Sequence, residues 1–185
     1  DCTAFGALVE AILRHAICRY GWDEVSQRKF STFQINYVFF DCMTMDEYLE
    51  LYDCVYHAVK AVDTRLQFGG PGAMSSVVWD PRGMRVFLQY ATAHDCLPDF
   101  LTVQSYPHES SSADANFMSY TLSQQSIPSV LSKDTNFVKT FLYDLNGICR
   151  EFELPDMDIF IEEWNSTLWQ RDLSSDTCYK PVWLT

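Results

Sequence analysis

The chain has no C-x-x-C pair, and its seven cysteines are odd in number and widely spaced. A disulfide framework and a structural zinc site are both excluded on that pattern. Most of the cysteines sit among apolar residues and read as small buried hydrophobes, which fits a reducing cytoplasm. No apolar run approaches the length of a membrane span. No signal peptide is visible at the first residues. Cation is scarce too: 13 lysines and arginines face 25 acids, a formal charge of −12. Such a chain repels phosphate backbones and anionic lipid, so binding to nucleic acid or membrane is not expected of this segment. No G-x-G-x-x-G or G-x-x-x-x-G-K-[ST] follows any strand candidate, which removes the nucleotide-binding motifs. The four histidines, His15, His57, His94 and His108, have no metal-ligand spacing, so no metal site is expected.

What is present is apolar and aromatic. Hydrophobic residues make up 48% of the 185-residue chain, enough for one domain with a sizeable core, and aromatics make up 15%. Aromatic rings build cores, and their flat faces also stack on sugars. Apolar residues Leu8, Val9, Ile12, Leu13, Ala16 and Ile17 recur at helical spacing, which predicts a helix over 8–20 stopped by Gly21. The β-rich run 30–40 predicts a strand. Thr44 followed three residues on by Glu47 predicts a capping box for a helix over 45–62. A short strand at 66–68 is expected to break at Gly69-Gly70-Pro71. A helix over 81–94, a strand over 100–105, a loop over 108–116, a helix over 129–152 and a last strand at 159–162 complete the order. Strands alternating with helices imply a parallel sheet with right-handed crossovers, open or closed into a barrel.

The last strand runs Ile159-Phe160-Ile161 straight into Glu162 and Glu163, then into Trp164-Asn165-Ser166. A buried strand that ends in an acid is how a barrel presents a reactive group at its C-terminal rim. It is also how any strand meets solvent, and this segment by itself leaves both open.

Several segments together resemble glycoside hydrolase family 39, the β-xylosidase and α-L-iduronidase family. They are Arg19-Tyr20-Gly21-Trp22-Asp23-Glu24-Val25, the stretch 45–52, the stretch 58–63, Phe68-Gly69-Gly70-Pro71, Pro98-Asp99-Phe100, and 161–166 continuing through Arg171-Asp172 and Asp176-Thr177. The resemblance implies an α/β fold, a partial (β/α)8 TIM barrel running from about strand 4 to strand 7 with the intervening helices. Residues 1–185 are then part of a single glycosidase-like catalytic domain, a fragment of a longer protein. Four parallel strands cannot close a barrel, so self-association or docking of the remaining barrel is expected.

The resemblance also implies retaining hydrolysis of a xyloside or related glycoside, with no cofactor. Such chemistry needs two carboxyl groups about 5–5.5 Å apart, one nucleophile and one acid/base. The family's nucleophile, the Glu of a T-E-W-N or T-E-Y-N motif, falls on Glu163, with Glu162 in place of the Thr. Period-two alternation points these neighbours to opposite faces, leaving one for the pocket. The family's W-N-E-P falls on Phe33-Gln34-Ile35-Asn36, so Gln34 replaces the Asn and Ile35 replaces the acid/base. The family's R-H-A-Y falls on Val103-Gln104-Ser105-Tyr106, so Gln104 replaces a His while Tyr106 is kept. Gln34, Gln104, Tyr106, His108, Trp164 and Asn165 are the candidate sugar contacts. Three readings stay open: a working glycosidase with a relocated acid (Asp41, Glu109 or Glu162), a pseudoenzyme that binds sugar as the sensing part of a larger AraC-type regulator, or a bare scaffold.

Overall fold

The computed structural model describes residues 2–39, 42–107, 132–154 and 156–164. In chain order these form α1 (Cys2–Tyr20), α2 (Trp22–Val25), β1 (Lys29–Ser31), α3 (Asn36–Phe39), α4 (Met45–Val62), β2 (Gln67–Met74), α5 (Ser75–Trp79), α6 (Met84–Ala93), β3 (Leu101–Ser105), α7 (Phe137–Glu151) and β4 (Ile159–Trp164). The four strands lie in the order β1-β2-β3-β4, every neighbouring pair parallel. Sequential parallel strands with helices between them make a half-barrel, as the alternation of elements predicted.

The helix boundaries follow local chemistry. Gly21 stops α1 at φ +86°, its N–H bonded to the Ile17 carbonyl, a conformation glycine adopts without a Cβ penalty. The capping box at Thr44 forms in full: its hydroxyl accepts from the Glu47 N–H and the Glu47 carboxylate accepts from the Thr44 N–H. Those bonds hold the Glu47 carboxyl below its usual range.

Two strand expectations are corrected. The run 30–40 keeps only Lys29–Ser31 as strand; Asn36–Phe39 turns into helix, because Asn36 bonds across to the next strand's backbone. The Gly69-Gly70-Pro71 stretch does not break β2, which continues to Met74. Glycine there is a packing requirement: a Cβ on Gly69 would run into the ring and carbonyl of Phe100. The cysteine reading is corrected as well. Among the described cysteines only Cys96 and Cys149 are buried; Cys18 and Cys42 are exposed, and Cys2 and Cys54 are half-buried.

The core lies between the sheet and its helices. Tyr52 of α4 packs edge-on against Phe87 of α6 at 4.7 Å between centroids and against Phe68 of β2 at 5.5 Å. Trp79 meets Phe137 and Phe141 of α7 edge-on, and its indole N–H reaches Asp144 at 3.0 Å. α1 lies over α4, where Gly6 lets the helices approach: a Cβ there would stand 2.9 Å from the Cys54 Sγ. The outer side of α1 stays apolar and open, with Phe5, Leu8 and Ile12 exposed. No helix among the described residues is long and apolar enough to cross a membrane.

At the N-terminal end of the sheet, Asp99 ties three elements. Its Oδ2 accepts from Lys60 Nζ of α4 at 2.7 Å and from the Phe68 N–H of β2 at 2.7 Å, just before β3 begins. Lys60 is well covered there, with 16% of its side chain exposed. Asp99→Ala removes the acceptor shared by the Phe68 N–H and Lys60, leaving Lys60 Nζ to the Leu66 carbonyl at 2.8 Å, so it should cost about 1–3 kcal/mol, read as a lower urea midpoint. The exposed Arg28–Glu24 pair is the control, and Arg28→Ala should leave the midpoint close to wild type.

Candidate functional site

The larger polar cluster among the described residues sits at the C-terminal ends of the strands. Gln34 follows β1, Gly72 lies late in β2, Gln104 closes β3 with Tyr106 just beyond, and Glu162 and Glu163 end β4. The pairing of β2 with β3 slips between Thr102 and Val103, where Gly72 is an extra residue in β2; the pairing of β4 with β3 slips between Val103 and Gln104, where Glu162 is an extra residue in β4. Such bulges kink a strand and re-aim its side chains.

The β4 bulge overturns the expectation that Glu162 and Glu163 face opposite sides. Gln104 pairs with Glu163 instead of Glu162, and both carboxylates enter one cluster. Glu163 accepts from the Tyr106 hydroxyl at 2.6 Å and from the Gln34 amide at 3.0 Å. Glu162 accepts from the Gln104 amide at 3.5 Å and from the Thr102 hydroxyl. The Thr102 oxygen in turn accepts from the Gly72 N–H at 2.8 Å.

Gly72 makes room for this arrangement. Its φ is +64°, and a Cβ would stand 2.8 Å from Glu162 Oε1 and 3.1 Å from the Gln34 Cα. A methyl group there would push on both halves of the cluster at once.

The electrostatics follow from crowded acids with neutral partners. Desolvation raises the Glu162 carboxyl above its usual range, and the neighbouring Glu163 adds to the rise; bonds from Gln104 and Thr102 oppose it. Tyr106 is pushed well up by desolvation, by its bond to Glu163 and by both carboxylates, so it stays a donor. Tyr48 of α4 lies beneath the site, fully buried, its hydroxyl 3.2 Å from the carbonyls of Pro71 and Phe33. Burial keeps its phenol protonated as well.

Of the residues singled out in the sequence, Gln34, Gln104, Tyr106 and Glu163 come together. Gln104 is 2% exposed and bonded at both ends, which places it behind a carboxylate and not on an open surface. Trp164 stands at the end of β4, 58% exposed. His108 and Asn165, like the alternative acids Asp41 and Glu109, lie outside the described residues. Ile35 is fully buried in the core, its N–H on the Pro71 carbonyl. No group of three or more metal-ligating side chains occurs among the described residues.

Asn36 was not singled out from the sequence. It is fully buried, and it links Gln34, Gln104 and the β2 backbone. A polar residue next to a bulky apolar one in a β-rich run carries little signal, because the partners lie 38 and 68 positions away.

Comparison with known proteins bears on the family and the fold. The family model "Glycosyl hydrolases family 39" matches residues 1–184. A beta-xylosidase of Caldicellulosiruptor saccharolyticus is 27% identical over 182 residues, covering 97% of this chain and 34% of that protein. A beta-xylosidase of Geobacillus stearothermophilus is 32% identical over 111 residues, covering 55% of this chain and 21% of that protein. The crystal structure of a monomeric beta-xylosidase from Caulobacter crescentus CB15 superposes with a TM-score of 0.73 at 21% identity, over 93% of this chain and 33% of that one. The chain thus spans about a third or less of the length of the relatives it matches.

Two outcomes follow from the geometry. Gly72→Ala should destabilise the full-length protein by about 1–2 kcal/mol from backbone strain alone, seen as a lower urea midpoint. Glu162→Gln tests the raised carboxyl. A raised folded pKa stabilises the fold below the unfolded value, near 4.5, and that stabilisation is lost as pH rises through the folded value. The amide escapes this loss, so the variant's Tm should gain on wild type between pH 4 and pH 7.

Proposed function

Because the chain belongs to glycosyl hydrolase family 39, we propose that it carries the nucleophile side of a pocket acting on or binding xylose-like sugars. Glu163 is the nucleophile on this reading. The observation that carries it is the pair of donors on that carboxylate, Tyr106 at 2.6 Å and Gln34 at 3.0 Å. Two short bonds hold the oxygens in one orientation at a strand end, which is what attack on an anomeric carbon requires. A covalent glycosyl-enzyme would form with departure of the leaving group, and water would later cleave it.

The proton for the leaving group is the missing part. Ile35 stands where the family's acid/base falls, and its side chain is in the core. General acid catalysis is typically worth about 10²–10⁴-fold. Ordinary glycosides should therefore turn over slowly, while sugars with a self-departing leaving group should still react. Trp164, exposed at the rim, supplies a flat face for a sugar ring.

The buried Ile35 also favours a second reading, in which the pocket binds a sugar without cleaving it, as the sensing part of a larger AraC-type regulator. Xylose would then raise the Tm of the full-length protein with no product formed.

Both readings need the rest of a barrel. β1 and β4 are the outer strands of an open sheet. Beside β1 lies an apolar groove of about 320 Å3, walled by Phe5, Val9 and Ile12 of α1 and by Phe30, Phe33 and Val55. The remaining barrel strands and helices would cover it, joined in the same polypeptide or brought by association.

The deciding experiment is intact mass of the full-length protein after incubation with 2-deoxy-2-fluoro-xylosyl fluoride, which needs no general acid. One sugar adduct should form, and it should vanish in Glu163→Gln. No adduct, with a Tm rise on xylose, would move the protein to the sensing reading.

A further inference from the structure

The amides of Gln34 and Gln104 each have a carbonyl end and an NH2 end, and only the NH2 end can bond a carboxylate. What holds both amides the right way round is not obvious from the two glutamines themselves. The answer lies one layer deeper, at Asn36. Its Oδ1 accepts from the Met74 N–H of β2 at 2.9 Å. A backbone N–H can only donate, so the atom facing it must be the oxygen. Asn36 Nδ2 is thereby turned the other way, where it donates to Gln104 Oε1 at 2.8 Å and to Gln34 Oε1 at 3.3 Å. With both carbonyls so engaged, Gln104 Nε2 is left to Glu162 and Gln34 Nε2 to Glu163.

We infer that Asn36 is a positioning residue: the single backbone N–H of Met74 sets its amide, and through it the direction of the donors presented to both rim carboxylates. Asn36 touches no reacting atom. It acts by making one orientation of each glutamine amide the satisfied one. Asn36 and Gln104 are buried, so an unsatisfied amide there is costly, as is a carbonyl turned on a carboxylate, and the relay is directional. The positioning itself is independent of what the pocket binds. Its value for a nucleophile rests on the sugar reading above.

The test uses the full-length protein, with Glu selectively 13C-labelled at the carboxyl and Glu162 assigned through Glu162→Gln. Among the described residues, Glu163, Tyr48 and Tyr106 are the titratable groups that face Glu162. Asn36→Leu keeps the size, adds no charge and removes the relay. Gln104 is then free to turn away, and the Glu162 midpoint should rise by about one pH unit. Asn36→Asp offers oxygens on both sides, so at neutral pH it should turn the glutamine carbonyls onto the carboxylates and raise the midpoint further. A cooperative melt establishes that each variant is folded. Folded variants whose Glu162 titration superimposes on wild type would overturn the inference.

Wild type provides a measurement that survives failure of both variants to fold. The Gln104 side-chain NH2 resonances should shift with the same midpoint as the Glu162 carboxyl, and no response would overturn the proposal. The fluorosugar reaction reports separately on the sugar reading. An inert wild type with a displaced Glu162 titration in Asn36→Leu removes the sugar reading and keeps the relay; a reactive wild type with an unmoved titration does the reverse.

Discussion

The rim of this half-barrel depends on two extra residues, Gly72 in β2 and Glu162 in β4, set on either side of the same point of β3. A regular pleat sends neighbouring side chains to opposite faces. One inserted residue breaks that rule locally, and here it delivers two acids to one cluster where a regular strand would deliver one. The β2 insertion is the matching half. Its glycine has no Cβ to occupy the space that Glu162 Oε1 fills, and its N–H engages the Thr102 hydroxyl that bonds Glu162. Removing either insertion would return the acids to separate faces or close the space between them.

Two carboxylates brought together invite a cation, yet the groups bonded to them among the described residues are neutral. They are the amides of Gln34 and Gln104, the Tyr106 phenol and the Thr102 hydroxyl. Neutral donors orient an acid without tying up its charge in an ion pair. In Glu162 the bonds from Gln104 and Thr102 do not offset desolvation and the neighbouring Glu163, so its carboxyl stays raised. The exposed acids paired with arginine behave the opposite way: Asp63, bonded by Arg65, is held at about 2.

The two ends of the sheet are built differently. At the N-terminal end, Asp99 is bonded by Lys60 and by the β2 backbone, which fixes α4 against the strands. At the C-terminal end, polar side chains bond mainly to one another. That division is general for parallel barrels, where the loops after the strands carry function. α4 links the two ends: Lys60 in its last turn meets Asp99, and Tyr48 in its first turn supports the Pro71 carbonyl beneath the site.

Much of this was legible in the order of residues. Capping at Thr44–Glu47, termination at Gly21 and the alternation of strands with helices are local events, set by side chains within a few positions of one another. The strand-end acid Glu163 could be singled out by its family motif, and Gln34, Gln104 and Tyr106 as candidate sugar contacts by resemblance. What the sequence did not determine is how those residues meet. A bulge depends on the partner strand, so the turning of Glu162 toward Glu163 needed β3 in place. The run 30–40 carries strand propensity throughout, yet Asn36 leaves the strand because its amide finds the Met74 N–H, 38 positions on. Continuation of β2 through two glycines and a proline required Phe100 pressed against Gly69. Periodicity reports which face is apolar; only the packed sheet decides where a single inserted residue sends a charge.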